Sequence, residues 1–111
     1  MNKAKLMDNL QKVIDESSKQ ISVNNIAAWK YLNEAHDQLE CSKAISDEMN
    51  EENDDEALKI LSNQLANAYH LHKKYRRKAA EAIEREEWHA KHRLKAEHIL
   101  NYLKIRGTEY A

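Results

Sequence analysis

Six histidines in 111 residues are the first side chains in this sequence that could do chemistry. Glu86 and His89 lie three residues apart and His92 follows one turn later, a spacing found in helical carboxylate-bridged metal sites. Such a site needs donors from a second helix, and the available ones are Glu34, His36 and Asp37. Solvated or interface histidines explain the pattern with fewer assumptions. We predict no metal and keep a helical metal-binding protein as the second alternative.

The hexapeptide 73–78 holds five positive charges around Tyr75 and forms what we call the basic band. On a helix these charges spread around most of the circumference, but Lys74, Arg77 and Lys78 share one side. They could therefore contact successive phosphates, so nucleic-acid binding is the first alternative function. The competing interpretation is a solvated band that pairs electrostatically with acidic residues of a neighbouring helix or of a second subunit.

Motifs for catalysis are missing from the sequence. It contains no glycine-rich phosphate loop and no serine or cysteine in a nucleophile motif, and it leaves almost no loop to carry an active site. Cys41 is the only cysteine, so it can form neither an intrachain disulfide nor a cysteine metal site. We expect no enzyme activity, no cofactor and no small-molecule substrate.

Charge is distributed unevenly along the chain. Residues 1–54 carry 6 Lys against 11 Asp and Glu, whereas residues 55–111 carry 12 Lys and Arg against 8 Asp and Glu. Seven of the acidic residues fall between Asp47 and Glu56, where they suit a turn and the start of a helix. This asymmetry favours either an antiparallel arrangement of the two halves or head-to-tail self-association.

Helical periodicity runs through a chain with no proline and one glycine, Gly107. We predict an all-α, coiled-coil-like fold in one domain, 1–111, with three antiparallel helices at about 3–19, 23–49 and 54–106. Asn2 is suited to cap the first helix, and the Ser17-Ser18 pair weakens its end. The third helix is the longest, because no glycine or proline occurs between Asp55 and Arg106.

The third helix carries apolar or small residues at a and d positions of one heptad frame from Leu58 to Ala82. The frame weakens where Glu86, His89 and Arg93 occupy these positions. A competing stripe passes through Ile83, Ala90 and Leu94. We predict a stutter or a change of packing partner there.

A chain of 13.0 kDa with this much apolar helix surface is expected to bury part of it against another molecule. Its sequence predicts a cytoplasmic protein–protein interaction module (an adaptor, inhibitor or assembly factor) that forms a homodimer and has no membrane segment. The composition is typical of bacterial and phage accessory proteins. The predicted interface residues are Trp29, Ala79, Ile83, Trp88, Ala90, Leu94, Leu100 and Leu103.

Overall fold

The computed structural model describes residues 2–109, with side chains described for residues 2–106. Two α-helices account for nearly all of this part of the chain: α1, Lys3–Glu51, and α2, Asp55–Glu109. The predicted all-α class is therefore right, but the prediction of three helices is wrong. Within the described residues, neither helix holds a stretch long and apolar enough to cross a membrane.

The predicted break between a first and a second helix does not exist, because the polar residues near it are accommodated inside α1. Ser17 and Asn24 are buried rather than placed at helix ends. The Asn24 amide donates to the Gln20 carbonyl at 2.8 Å and accepts from Arg85 Nε at 2.9 Å. Since no proline or glycine interrupts α1, satisfying these polar groups is enough to keep the helix continuous.

Three helix ends show how closely local sequence signals match the structure. Asn2 Oδ1 accepts from the Ala4 amide at 3.0 Å, which confirms the predicted cap of α1. At the turn, where acidic residues are predicted, Glu52 Oε1 accepts from the backbone amides of Asn53 and Asp54. The predicted stop at Gly107 is wrong, because α2 continues to Glu109; one glycine costs a helix only about 1 kcal/mol.

The residues fall into two compact units. Unit 1 combines the chain up to Ile26 with the chain from Ala82 onward, and unit 2 is Ala27–Glu81. In each unit a segment of α1 packs antiparallel to a segment of α2, as shown by Ser18–Arg93 and Asn24–Arg85 contacts in unit 1 and Ala35–His72 in unit 2.

Unit 1 has an unbroken heptad seam, so the predicted stutter is wrong. Glu86, His89 and Arg93 are partly buried at seam positions, whereas Ile83 and Leu94 of the competing stripe are 39% and 66% exposed. The aliphatic stems of long polar side chains can pack in a seam while their ends reach polar partners. The seam positions are Met7, Leu10, Ile14, Ser17, Ile21, Asn24, Ala82, Glu86, His89, Arg93, Ala96, Leu100 and Leu103.

Unit 2 has a seam of small and aromatic residues. The predicted heptad frame of α2 is confirmed here, since each of its positions from Leu58 to Ala79 is buried or partly buried. Ala28, Ala35, Ser42, Ala68 and Ala79 are its buried residues, and small side chains allow two helix backbones to approach closely. The partly buried seam positions are Tyr31, Gln38, Ile45, Met49, Leu58, Leu61, Leu65, His72 and Tyr75.

Candidate interaction surfaces

Unit 1 exposes a long face of α2 that mixes apolar, aromatic and basic side chains. We call it the α2 apolar face. Its members share one side of the helix and are all exposed, and none of them is a carboxylate. They are Trp88, Lys91, His92, Leu94, Lys95, His98, Ile99, Tyr102, Ile105 and Arg106.

Trp88 is the largest side chain of the α2 apolar face and is 58% exposed. Its indole stacks on the His92 ring with centroids 4.7 Å apart and the planes 13° from parallel. His89 meets the same indole edge-on, with centroids 4.9 Å apart. These two contacts fix the orientation of an exposed aromatic ring, which lowers the entropy that a partner must remove on binding.

A groove of about 340 Å³ runs beside Trp88. Its wall from α1 is formed by Lys12, Val13, Glu16 and Ser17, and its wall from α2 by Trp88, His89 and His92. The groove is open and mostly apolar at its base, so it suits an inserted side chain of a partner rather than an enclosed small ligand.

The predicted interface residues divide into two groups. Trp29, Ile83, Trp88 and Leu94 are exposed, and each is therefore accessible to a partner. Ala79 and Leu100 are buried within their own units, and Ala90 and Leu103 are partly buried. Ala79, Leu100 and Leu103 contribute to the packing of the chain itself, because they occupy its heptad seam. Whether the exposed group forms an interface stays a prediction.

The α2 apolar face is wider than the predicted interface. Ile99, Tyr102 and Ile105 are 47%, 55% and 61% exposed, yet sequence reasoning did not single them out. A helical-wheel comparison could have found Ile99 and Tyr102, because the spacing of Trp88, His92, Lys95, Ile99, Tyr102 and Arg106 alternates between four and three. The seam next to this stripe has the same spacing and carries the stronger apolar signal.

The basic band lies in unit 2, and its residues do not all remain available to a partner. Lys73, Lys74, Arg76 and Arg77 are exposed, and none of them has an ion-pair partner in the described part of the chain. Lys78 is partly buried, with its Nζ 5.5 Å from the centroid of the Tyr31 ring. The predicted phosphate-binding residues are Lys74, Arg77 and Lys78. The structure leaves Lys74 and Arg77 exposed, whereas Lys78 is partly buried.

Tyr75 is the one uncharged residue of the basic band, and it lies at the seam of unit 2. Its ring stacks on Tyr31 with centroids 6.4 Å apart. The negative charge of Glu34 raises the pKa of Tyr75 above its ordinary value of 10.0, and burial and a hydrogen bond to Glu34 add to the increase. Each of these effects favours the neutral phenol, so the side chain of Tyr75 is uncharged at neutral pH.

The residues considered as metal ligands make other contacts. Glu86 accepts from Asn25 Nδ2 at 3.4 Å, while His89 and His92 lie against Trp88. In residues 2–106 no group of three or more His, Cys, Asp or Glu side chains is placed to hold a metal ion.

A second groove, of about 420 Å³, lies in unit 2. Cys41, Ala44 and Glu48 line it from α1, and Gln64, Asn67 and Ala68 line it from α2. Cys41 is exposed and its thiol is free. Small and uncharged side chains dominate this groove, so a third helix can approach it closely.

Two chemically different surfaces therefore emerge from the geometry, an aromatic and basic one in unit 1 and a charged one in unit 2. No protein-family model, no curated protein and no solved structure matches this chain.

Proposed function

We propose that this protein is a small interaction module that recognises a protein partner through the α2 apolar face and associates with itself. The observation that supports the proposal most directly is the exposure of apolar side chains on unit 1. Nine large apolar residues of this unit are more than a third exposed, against four in unit 2, among the residues whose side chains are described. Removing apolar surface from water is favourable by about 25 cal/mol of free energy per Å².

The composition of the α2 apolar face indicates the chemistry of the partner. Tryptophan and tyrosine are the side chains that most often dominate the binding free energy of an interface. Lys91 and Lys95 lie between the apolar residues of the face. A protein segment that carries both apolar residues and carboxylates would match this alternation. A bilayer surface fits less well, since helices that lie in it separate their apolar and charged residues onto opposite sides.

The test of partner recognition compares exposed residues of the same unit. Proteins that co-purify with the wild-type chain from the native host are identified, and the affinity of each for purified variants is measured by calorimetry. We expect Trp88→Ala to lower the affinity for a true partner at least about 10-fold, as removal of a central anchor residue does. Val23→Ala is the matched control, because Val23 is 54% exposed on α1 of unit 1 and lies outside the face. Equal affinities for both variants would contradict the proposal.

Self-association is tested separately by sedimentation equilibrium over a concentration series from micromolar to millimolar. We expect the apparent mass to rise from one chain of 13.0 kDa to that of two chains. A constant mass of one chain over this range would refute self-association and leave partner recognition by unit 1 standing.

A further inference from the structure

Unit 2 separates its charges into two blocks. The acidic end, Asp47–Glu56, carries seven carboxylates and no cation, and the basic band carries five cations within residues 73–78. Asp55 and Lys74 are 19 residues apart on α2, so the blocks lie about 28 Å apart along that helix. Because this distance is several Debye lengths at physiological salt, the carboxylates at the start of α2 do not neutralise the basic band of the same chain.

Some residues of each charge block, including Glu48 and Lys74, lie on the same side of unit 2 as the groove. On α2, Gln64, Asn67 and Lys74 follow each other at spacings of three and seven, which places them on one stripe. On α1, Cys41 and Glu48 line the same groove as Gln64 and Asn67. Gln64 stands nine residues after Asp55 and ten before Lys74, so the groove lies midway between the blocks.

We propose that a second copy of this chain packs antiparallel on this side of unit 2, with a twofold axis at the groove. The axis brings the basic band of each copy to the acidic end of the other, with Lys74 beside the second copy's Glu56. A contact related by a twofold axis occurs twice, so each charge pairing is doubled. The inference rests on the self-association proposed above and specifies its surface, orientation and symmetry.

Charge complementarity favours a second copy over a nucleic acid. A nucleic acid would be attracted by Lys74 and Arg77, but extending along the same side of unit 2 it would meet carboxylates of the acidic end, such as Glu48 and Glu56. With a second copy, the acidic end and the basic band both meet opposite charges. Ile60, which is 58% exposed on the same stripe of α2 as Gln64, adds apolar area to the contact.

The experiment exchanges the charges. One variant reverses the band (Lys74→Glu, Arg77→Glu) and another reverses the acidic end (Glu48→Lys, Glu51→Lys, Glu56→Lys). Each variant alone then opposes like charges, and we expect its dimer to weaken at least about 10-fold at low salt. An equimolar mixture restores both pairings, so a heterodimer with near wild-type affinity should form. Sedimentation measures both results, and circular dichroism verifies that each variant is folded.

Two controls accompany the exchange. Lys3→Glu with Lys5→Glu reverses exposed cations of unit 1 and should leave the dimer unchanged. Mild oxidation should link two wild-type chains through Cys41, because the groove places both thiols near the axis, and Cys41→Ser should abolish this link. If the non-covalent dimer forms but oxidation does not link its two chains, the twofold axis is not at the groove.

The other outcomes overturn the inference in distinguishable ways. A dimer that survives both reversals shows that the chain self-associates through another surface, which leaves the proposed function intact. A wild-type chain that stays monomeric removes self-association altogether. Assemblies that grow beyond two chains indicate head-to-tail contacts instead of a twofold axis. Loss of duplex DNA or RNA binding in the band variant, with unchanged sedimentation, assigns the band to nucleic acid.

Discussion

Units 1 and 2 are built from the same two helices but differ in what they bury and what they expose. The seam of unit 1 buries Leu100 and the polar residues Ser17 and Asn24, while the seam of unit 2 buries only alanines and Ser42. On the outside, unit 1 exposes more large apolar side chains, and unit 2 carries the acidic end and the basic band. An identical antiparallel heptad frame thus supports two surfaces with different binding chemistry.

The difference follows from where large side chains are placed. No large side chain is fully buried among the described residues of either unit. A seam of two helices is too narrow to enclose leucine or tryptophan completely, so alanine fills it best and larger residues remain at the edges. In unit 1 those edge residues are aromatic and aliphatic, which suits apolar contact. In unit 2 they include separated charges, which suit electrostatic pairing.

The strongest test of this comparison removes the largest well-buried apolar side chain of unit 1. Leu100→Ala should lower the free energy of unfolding by about 2–5 kcal/mol, because it leaves a cavity in the seam. Leu94→Ala, at a position that is 66% exposed, should change it by less than about 0.5 kcal/mol. Urea unfolding followed by circular dichroism measures both. Similar values for the two variants would show that the seam of unit 1 is not where the structure places it.

A second test enlarges a small residue in the seam of unit 2. Ala35 is 3% exposed, and its carbonyl oxygen accepts a hydrogen bond from His72 Nδ1 at 2.8 Å. Ala35→Leu should therefore force the helices apart and cost about 1–3 kcal/mol. The control is Ala66→Leu, since Ala66 is exposed in the same unit and does not line its groove. Thermal unfolding compares the two variants, and an undiminished stability of Ala35→Leu would rule out close helix approach.

The smallest expected effect concerns the titration of Tyr75. Its raised pKa means that folding favours the protonated phenol, so this contribution to stability is complete below the ordinary pKa of 10.0 and is lost as the pH rises through the raised value. Glu34→Gln removes the largest cause and should return the pKa of Tyr75 towards 10.0. NMR of ring-labelled tyrosine follows the titration, with Tyr75→Phe assigning the signal. Glu40→Gln serves as control, and an unchanged Tyr75 pKa in Glu34→Gln would contradict the assigned cause.

Several features of the fold could be predicted from local sequence, because they depend on neighbours along the chain. The cap at Asn2 and the heptad frame of α2 from Leu58 to Ala79 are examples. The predictions of a break after Ser18 and of a stutter at Glu86 are both wrong. The first took polar residues as the signal of a helix end, and the second treated polar residues as unable to lie in a seam. In the structure, Asn24 and Arg85 satisfy each other across the seam, and the two helices continue.

The candidate surfaces were predictable only in part. Exposure of Trp88 and Leu94 agrees with their proposed role, whereas Leu100 and Lys78 are occupied inside their own units by seam packing and by the Tyr31 ring. Within unit 1, α2 carries more than one apolar stripe. Periodicity alone does not tell which of these stripes packs against α1.

The sequence by itself determined that this protein is helical, where α1 starts and that its charges form two opposite blocks, since composition, capping and charge order are properties of the chain. Only the tertiary structure decided that there are two helices, which residues form their seam and which apolar side chains stay exposed. Those features depend on the register between α1 and α2, and register is set by contacts between residues that lie 37 to 75 positions apart.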